Sequence, residues 1–264
     1  MYPFEYHLPL SQSDAVSACA GDSRYLAGGQ SLIQAMRLRL SSAQHLVDLR
    51  AVPGLEGIDC GPQGLRMGAM VRHAEVAASA LVRRHLPALA ELAAGIGDPM
   101  VRSMGTLGGS LAHADPAACY PAAVLGLGAT VHTPARAIAG EGFFTGLYAT
   151  ALQPGELITA VTFPLPQRAA YVKFKQPASR FALVGVFVAQ GPQGVRVAVT
   201  GAKDAVFRVP DLEAALNSRF DAQAARACTV SPEGLLSDLH ASAAYRAALI
   251  PVLASRAVEK ACAS

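Results

Sequence analysis

Three observations predict an α+β fold for this chain. Short strand patterns and short helix patterns follow one another up to residue 163, and two glycine-rich segments lie among them. After Pro164-Leu165-Pro166, three strand patterns alternate as in an antiparallel sheet, and helical patterns close the chain. The Pro-x-Pro segment is the best domain boundary, so we expect domains over residues 1–166 and 167–264.

Length and composition describe a compact globular protein. The 264 residues can bury a sizeable core and form one large or two modest domains. Charged residues make up 16% of the chain, which is typical of a surface covered by partner subunits or of an alanine-rich sequence. A net charge of +3, with scattered basic residues, argues against a nucleic-acid-binding function.

The chain is expected to lie in the cytoplasm without a transmembrane segment. Residues 1–10 carry an acid at Glu5 and no basic lead before a long apolar run, unlike a signal peptide. The apolar stretch over residues 122–131 is too short to cross a bilayer.

In the first part of the chain, helix and strand signals alternate over short distances. Ser11 and Asp14 form a capping-box variant, which predicts a helix from residue 11 to about residue 20. Gly61-Pro62-Gln63-Gly64 predicts a turn between two paired strands. The remaining expectations before residue 70 are strands over 24–27, 45–49, 55–58 and 65–69 and a helix over 32–38.

The rest of the chain contains alanine-rich helices and a second group of strands. Helices are expected over 75–80, 86–94 and 121–128, the last with Pro121 in its first turn. Residues 96–103 are expected to form an irregular, proline-containing approach to the second glycine-rich segment. Strands are expected over 129–132, 157–163, 171–175, 183–190 and 195–200, and helices over 212–216 and 245–260.

The two glycine-rich segments predict an anion site. The first glycine segment is residues 27–32, Ala27-Gly28-Gly29-Gln30-Ser31-Leu32, and the second glycine segment is residues 105–116. A glycine pair lets the backbone approach an anion closely, and successive N–H groups can form a concave anion site. Two such segments could hold the two phosphates of one dinucleotide.

The surroundings of both segments are similar to one family. The first glycine segment, followed by Met36-Arg37-Leu38-Arg39-Leu40, resembles the first flavin loop of the FAD-binding medium subunit of molybdenum hydroxylases, the carbon monoxide dehydrogenase and xanthine dehydrogenase group. The second glycine segment resembles the same family's second flavin loop, and residues 240–246 resemble a motif near its C-terminus. The resemblance implies a FAD-binding PCMH (vanillyl-alcohol oxidase) type domain of two α+β subdomains, about 1–52 and 53–166, followed by the flavoprotein C-terminal domain, an antiparallel sheet with helices.

The resemblance also implies which residues hold FAD. In the family, backbone donors of the first loop bind the FAD pyrophosphate, a leucine lies against the flavin, and a lysine reaches it from the C-terminal domain. No catalytic residue and no metal ligand are expected. Carried over by position, the cofactor-binding residues are Leu26, Ala27, Gly28, Gly29, Gln30, Ser31, Leu32, Ile33, Thr106, Gly108, Gly109, Ser110, Ala114, Asp115, Leu157 and Lys175.

The cysteines exclude a local iron–sulfur or zinc motif, because the five are widely separated and form no CxxC cluster. Two positions depart from the family pattern. Ser110 stands where the family usually has asparagine, and Cys119 stands where many relatives have an aspartate that contacts the cofactor.

The function implied is that of a FAD-carrying electron-transfer subunit. Its partners would be a large subunit with the molybdopterin cofactor and a small subunit with two [2Fe–2S] clusters, in a dimer of heterotrimers (a heterohexamer). The flavin would pass electrons to NAD, a quinone or oxygen.

Two rival functions stay open at this point. One is a self-sufficient flavin oxidase or dehydrogenase of the PCMH fold, and the other is a non-catalytic assembly module with a degenerate FAD site. A Rossmann NAD protein is disfavoured, because neither segment has G-x-G-x-x-G spacing.

Overall fold

A computed structural model describes residues 1–263 and contains four sheets surrounded by mostly short helices. The strands are β1 (Glu5–His7), β2 (Ser23–Leu26), β3 (His45–Asp48), β4 (Ile58–Gly61), β5 (Gly64–Gly68), β6 (Thr130–His132), β7 (Ala137–Ala139), β8 (Phe144–Gly146), β9 (Ala149–Thr150), β10 (Ala160–Phe163), β11 (Arg168–Lys175), β12 (Ala182–Gly191), β13 (Gly194–Thr200) and β14 (Phe207–Arg208). The helices are α1 (Gln12–Ala18), α2 (Leu32–Arg37), α3 (His73–Ala78), α4 (Ala80–His85), α5 (Pro87–Ala94), α6 (Pro99–Met104), α7 (Leu107–His113), α8 (Tyr120–Leu127), α9 (Pro210–Ser218), α10 (Ala222–Ala227) and α11 (Ala243–Ala263).

The N-terminal part is a three-stranded parallel sheet in the order β1-β3-β2. Helix α1 begins where predicted, because the Asp14 amide donates to Ser11 Oγ at 3.1 Å. Val47 of β3 is fully buried in a core with Ala15 of α1. The first glycine segment follows β2 directly and leads into α2, so this small sheet sets its position.

A five-stranded antiparallel sheet in the order β4-β5-β10-β6-β7 forms the second part. Gly61 pairs with Gly64 across the predicted turn. Helix α8 is buried on every residue and ends at Gly128, whose φ of 64° is the left-handed conformation that glycine adopts without strain. The apolar run at residues 120–127 is therefore an internal helix. Within residues 1–263, no helix is both long and apolar enough to cross a membrane.

The C-terminal part is a four-stranded antiparallel sheet in the order β11-β12-β13-β14, covered on both faces. On one face it packs against α9 and α11, around buried valines of β12 and β13. On the other face it packs against α5 and α8 of the preceding part. Gly126 of α8 lies against Phe187 of β12, where an added Cβ would come within 2.9 Å of the ring. The two parts therefore share one continuous core.

The structure differs from the sequence expectations mainly between residues 96 and 113. Residues 99–104, expected to be irregular, form α6, because Asp98 accepts a hydrogen bond from the Val101 amide and proline occupies the first turn. Most of the second glycine segment, expected to be a loop, is helix α7, capped by Thr106. Because Thr106 caps it, α7 forms despite the low helix propensity of Gly108 and Gly109. Leu157, farther along the chain, precedes β10 rather than lying in a strand.

The C-terminal sheet is hydrogen-bonded to the chain just after α7. Thr200 Oγ1 lies 2.5 Å from the carbonyl oxygen of Pro116 and 2.7 Å from that of Ala118, which share its one hydroxyl proton, and the Gly201 amide also donates to Pro116. Buried Arg246 in turn donates to the Gly201 carbonyl at 2.8 Å and pairs with Asp238 at 2.7 Å. Arg246, the last residue of the motif at residues 240–246, thus supports Gly201, which in turn bonds to Pro116 at the end of the second glycine segment.

Candidate functional site

The two glycine segments meet in the structure. A Cβ added to Gly28 would lie 2.1 Å from the Met104 carbonyl oxygen and 2.8 Å from Gly105 Cα. A Cβ added to Gly109 would lie 3.5 Å from the Ala27 side chain. Real Cβ atoms do not approach backbone as closely as 2.1 Å, so only glycine at position 28 allows this contact. Segments some seventy residues apart thus form one surface of bare backbone.

The first glycine segment presents unpaired backbone donors. The amides of Gly28, Gly29, Gln30 and Ser31 donate to no acceptor within residues 1–263. Gly29 has a φ of 69°, which turns the chain sharply, and Ser31 precedes α2 without capping it. These groups are half-buried or exposed. Consecutive free N–H groups in a turned backbone can bind a phosphate oxygen.

The remaining residues assigned to the first glycine segment have packing roles as well. Leu32 and Ile33 pack against a small core of Met36, Ala43 and Leu46. The Ile33 amide is engaged with the Gly29 carbonyl at 3.1 Å. These contacts hold the backbone of the segment while its earlier amides remain free.

In the second glycine segment, the amides of residues 108–110 are already hydrogen-bonded to other parts of the protein or to Thr106. The Gly108 amide donates to the Ala69 carbonyl at 2.7 Å, the Gly109 amide to Thr106 Oγ1 at 3.1 Å, and the Ser110 amide to the Thr106 carbonyl at 3.0 Å. These three amides are therefore engaged within the protein, and the expected anion site has its consecutive free donors on the first glycine segment. Their glycines instead allow close packing, since a Cβ on Gly108 would lie 2.6 Å from that of Ala69.

The end of α7 is a strained turn. Ala114 is buried and has a φ of 49°, a left-handed conformation that costs a non-glycine residue on the order of 1 kcal/mol. Asp115 Oδ1 accepts a hydrogen bond from the Ala117 amide at 2.8 Å, so this carboxylate holds the turn. Hydrogen bonds from Thr200 and Gly201 to the carbonyl oxygen of Pro116 hold the chain just after this turn and so keep its geometry.

Leu157 and Lys175 occupy very different environments. Leu157 is 3% exposed and belongs to the N-terminal core, against which Ala27 packs. It therefore supports the first glycine segment from behind. Lys175 is exposed at the end of β11, just past a register shift after Phe174, and within the described part of the chain its ammonium has no partner.

The neighbouring Lys173 is the lysine that joins the C-terminal sheet to the preceding part. Its Nζ donates to the carbonyl oxygens of Gly95 and Arg180, each at 2.8 Å, and lies 3.3 Å from Sγ of buried Cys119. Cys119 thus has a cation beside it, which the sequence did not indicate. Where many relatives have an aspartate, this chain therefore has a buried thiol beside an ammonium group.

His73 is a residue of this region that sequence reasoning missed. Its imidazole lies against Gly105, where an added Cβ would come within 2.6 Å of Nε2, and its amide donates to the Gly105 carbonyl at 2.9 Å. Burial, with a smaller effect of the Arg102 guanidinium, lowers the pKa of His73 to about 4. No motif points to His73, since its contact with residue 105 arises only from folding.

The residues present fit a dinucleotide. Four consecutive free amides lie on the first glycine segment, and the second supplies a wall in which Gly108 and Gly109 carry no side chain. A diphosphate needs both donors and room for close approach. The chemistry of this donor set therefore fits the diphosphate of a dinucleotide such as FAD, and the two segments contribute to it in different ways.

Comparison with known proteins agrees with this geometry. Residues 2–166 match the family described as the FAD binding domain in molybdopterin dehydrogenase. The chain belongs to the FAD-binding medium subunits of molybdenum hydroxylases. It is similar to the nicotine 6-hydroxylase medium subunit of Paenarthrobacter nicotinovorans, with 36% identity over 97% of this chain and 96% of that protein.

Two further relatives extend the match along the whole medium subunit. The carbon monoxide dehydrogenase medium chain of Hydrogenophaga pseudoflava is 32% identical over 98% of this chain and 96% of its own. A solved chain of quinoline 2-oxidoreductase from Pseudomonas putida 86 superposes with a TM-score of 0.89 at 31% identity, covering 99% of this chain and 98% of that one. The α+β fold and the oxidoreductase class are thereby confirmed, as is FAD as the cofactor of this chain.

Gly28→Ala is expected to abolish FAD retention, because the new methyl group would collide with the Met104 carbonyl and force the two glycine segments apart. Gly61→Ala is the control, since a Cβ there meets nothing within 4 Å. The measurement is the ratio of FAD to protein after gel filtration. Full FAD content in Gly28→Ala would contradict the contact described here.

Stability should fall as the pH drops from about 6.5 to about 4, because His73 protonates in the unfolded chain before it does so in the fold. The contribution is on the order of 3 kcal/mol, lost progressively across that window and constant below it. Urea unfolding at several pH values measures it. His73→Phe should flatten this part of the profile, and an unchanged slope would refute the assignment.

Proposed function

We propose that this medium subunit is the FAD-carrying electron-transfer subunit of a molybdenum hydroxylase. The observation that carries the proposal is the contact between the two glycine segments, which joins four free amides to a bare backbone wall. The relatives named as medium subunits support it, as does one named as a subunit of the 6-hydroxypseudooxynicotine dehydrogenase complex.

We also propose the arrangement of the assembly. The chain would join a large subunit with the molybdopterin cofactor and a small subunit with two [2Fe–2S] clusters, as a dimer of heterotrimers. The flavin would pass electrons to an external acceptor such as NAD, a quinone or oxygen. One solved relative is named as a carbon monoxide dehydrogenase that lacks the Mo-pyranopterin moiety of its molybdenum cofactor, which supports molybdenum in such a complex.

A cytoplasmic location is part of the proposal. All five cysteines are free, which is typical of proteins kept in a reducing compartment. The division into a FAD domain of residues 1–166, with subdomains of about 1–52 and 53–166, and a C-terminal domain of residues 167–264 is proposed with it. The separate sheets on either side of residues 164–166 support that division.

The residues proposed for the FAD site would have three kinds of role. Free amides of Gly28, Gly29, Gln30 and Ser31 would bind the diphosphate. Gly108 and Gly109, with capping Thr106, would shape the opposing wall. The supporting or adjacent residues are Leu26, Ala27, Leu32, Ile33, Ser110, Ala114, Asp115, Leu157 and Lys175.

The protein's own task would be to bind, orient and tune the cofactor. FAD supplies the capacity to accept electrons and pass them to a second acceptor. Buried Leu157 and half-buried Ala27 would hold the first glycine segment rigid. The exposed ammonium of Lys175 would place a positive charge near a cofactor that gains negative charge on reduction.

Purification from the native host tests the assembly. The chain is expected to bring along two further subunits, molybdenum and iron, and the bound flavin should bleach when the substrate of the complex is added. The isolated chain should retain FAD without being reduced by that substrate. A lone chain that bleaches its own flavin would favour a self-sufficient oxidase or dehydrogenase, and a chain that binds no FAD would favour an assembly module.

Lys175→Ala is expected to lower the reduction potential of the bound flavin by on the order of tens of millivolts, because a cation near the cofactor favours its reduced form. Spectroelectrochemistry measures the shift. Lys203→Ala is the control, since the Lys203 ammonium lies over the Phe207 ring in the same sheet. An unchanged potential in Lys175→Ala would remove this lysine from the surroundings of the flavin.

A further inference from the structure

Three metal-ligating side chains lie together at the edge of the N-terminal sheet. Glu5 and His7 are two residues apart on β1 and therefore project from the same face. His45, at the start of β3, pairs in register with Glu5. One ligand atom from each residue lies within 4.8 Å of the other two. Parallel pairing thus joins residues that are about forty positions apart in the chain.

The three ligand atoms are as far apart as atoms that ligate the same metal ion. His7 Nε2 and His45 Nδ1 are 3.0 Å apart, and Glu5 Oε2 lies 3.4 Å from His45 Nδ1 and 3.9 Å from His7 Nε2. A circle through these three atoms has a radius of about 2.0 Å, which equals the usual zinc–nitrogen and zinc–carboxylate bond length. An ion slightly above its centre would lie within bonding distance of all three ligand atoms and keep a fourth position open.

We propose that Glu5, His7 and His45 form a zinc site on this chain. Two imidazoles and one carboxylate are a ligand set that Zn²⁺ accepts, with a fourth position left for water or a group from another molecule. The His7 side chain is 38% exposed and that of His45 is 35% exposed, so an ion can enter from solvent. The site is independent of the proposed electron-transfer function.

The position of the site indicates a structural role. Strand β1 has three residues and lies at one edge of the sheet, with β3 between it and β2. Apart from its pairing with β3, it is held by a hydrogen bond from the Tyr6 hydroxyl to Asp48 at 2.8 Å. A zinc ion would link β1 to β3 through side chains, at the end of the sheet opposite the first glycine segment.

The alternative is a simple hydrogen bond between the two imidazoles, which needs no ion. That contact requires one ring nitrogen to carry a proton and the other to accept it. Zinc would replace the shared proton, since both nitrogens must be unprotonated to ligate. Binding should therefore release protons, whereas the imidazole pair alone binds nothing.

The test is titration of the full-length, tag-free, FAD-containing chain with Zn²⁺ after chelator treatment and dialysis. We expect one equivalent to bind and the unfolding temperature to rise. His45→Gln and Glu5→Gln should each weaken binding by more than the roughly tenfold to hundredfold loss caused by removing an outer-shell partner. His240→Gln, which alters an exposed histidine elsewhere, should bind as the unaltered chain does.

Cobalt provides a second measurement that does not depend on stability. Co²⁺ at this site should give the strong visible absorption of four-coordinate cobalt, at wavelengths longer than those absorbed by oxidised flavin. The His7→Gln/His45→Gln double variant should lack that band while keeping its FAD. The proposal is overturned if the unaltered chain binds neither ion, or if the double variant binds Zn²⁺ and Co²⁺ as tightly as the unaltered chain.

Discussion

The candidate site depends on one close contact, that of Gly28 with the backbone at Met104 and Gly105. A Cβ added at position 28 would lie 2.1 Å from a carbonyl oxygen, so no residue other than glycine fits there unless the backbone moves. The contact places four free amides of the first glycine segment beside a wall from the second. Everything proposed about the diphosphate follows from these two pieces of backbone being adjacent.

Several layers of packing hold that contact in place. Leu157 and Ala27 join the first glycine segment to the N-terminal core, and buried His73 lies against Gly105. The C-terminal sheet secures the chain after α7 through Thr200. The site thus belongs to the whole chain, since each part contributes a support for backbone that the others bring together.

Much of the fold could be predicted because its signals are local. Ser11 and Asp14 start α1, Gly61 and Gly64 close a hairpin, and Gly128 ends the apolar helix. The predictions missed what lacks a local signal. Strands β1, β7 and β14 are two or three residues long and exist through pairing, and α6 depends on its Asp98 cap within a segment interpreted as irregular.

The sequence by itself identified the two segments that carry glycine, because residue types at close spacing mark them, and their resemblance to known flavin loops indicated the family and the cofactor. Only the tertiary structure decided how each segment is used. The amides of Gly108, Gly109 and Ser110 are occupied by Ala69 and Thr106, whereas those of residues 28–31 are free. Likewise, Lys173 beside Cys119 and Glu5 beside His45 are neighbours only after strands pair, because distances between chain-distant side chains are set by packing.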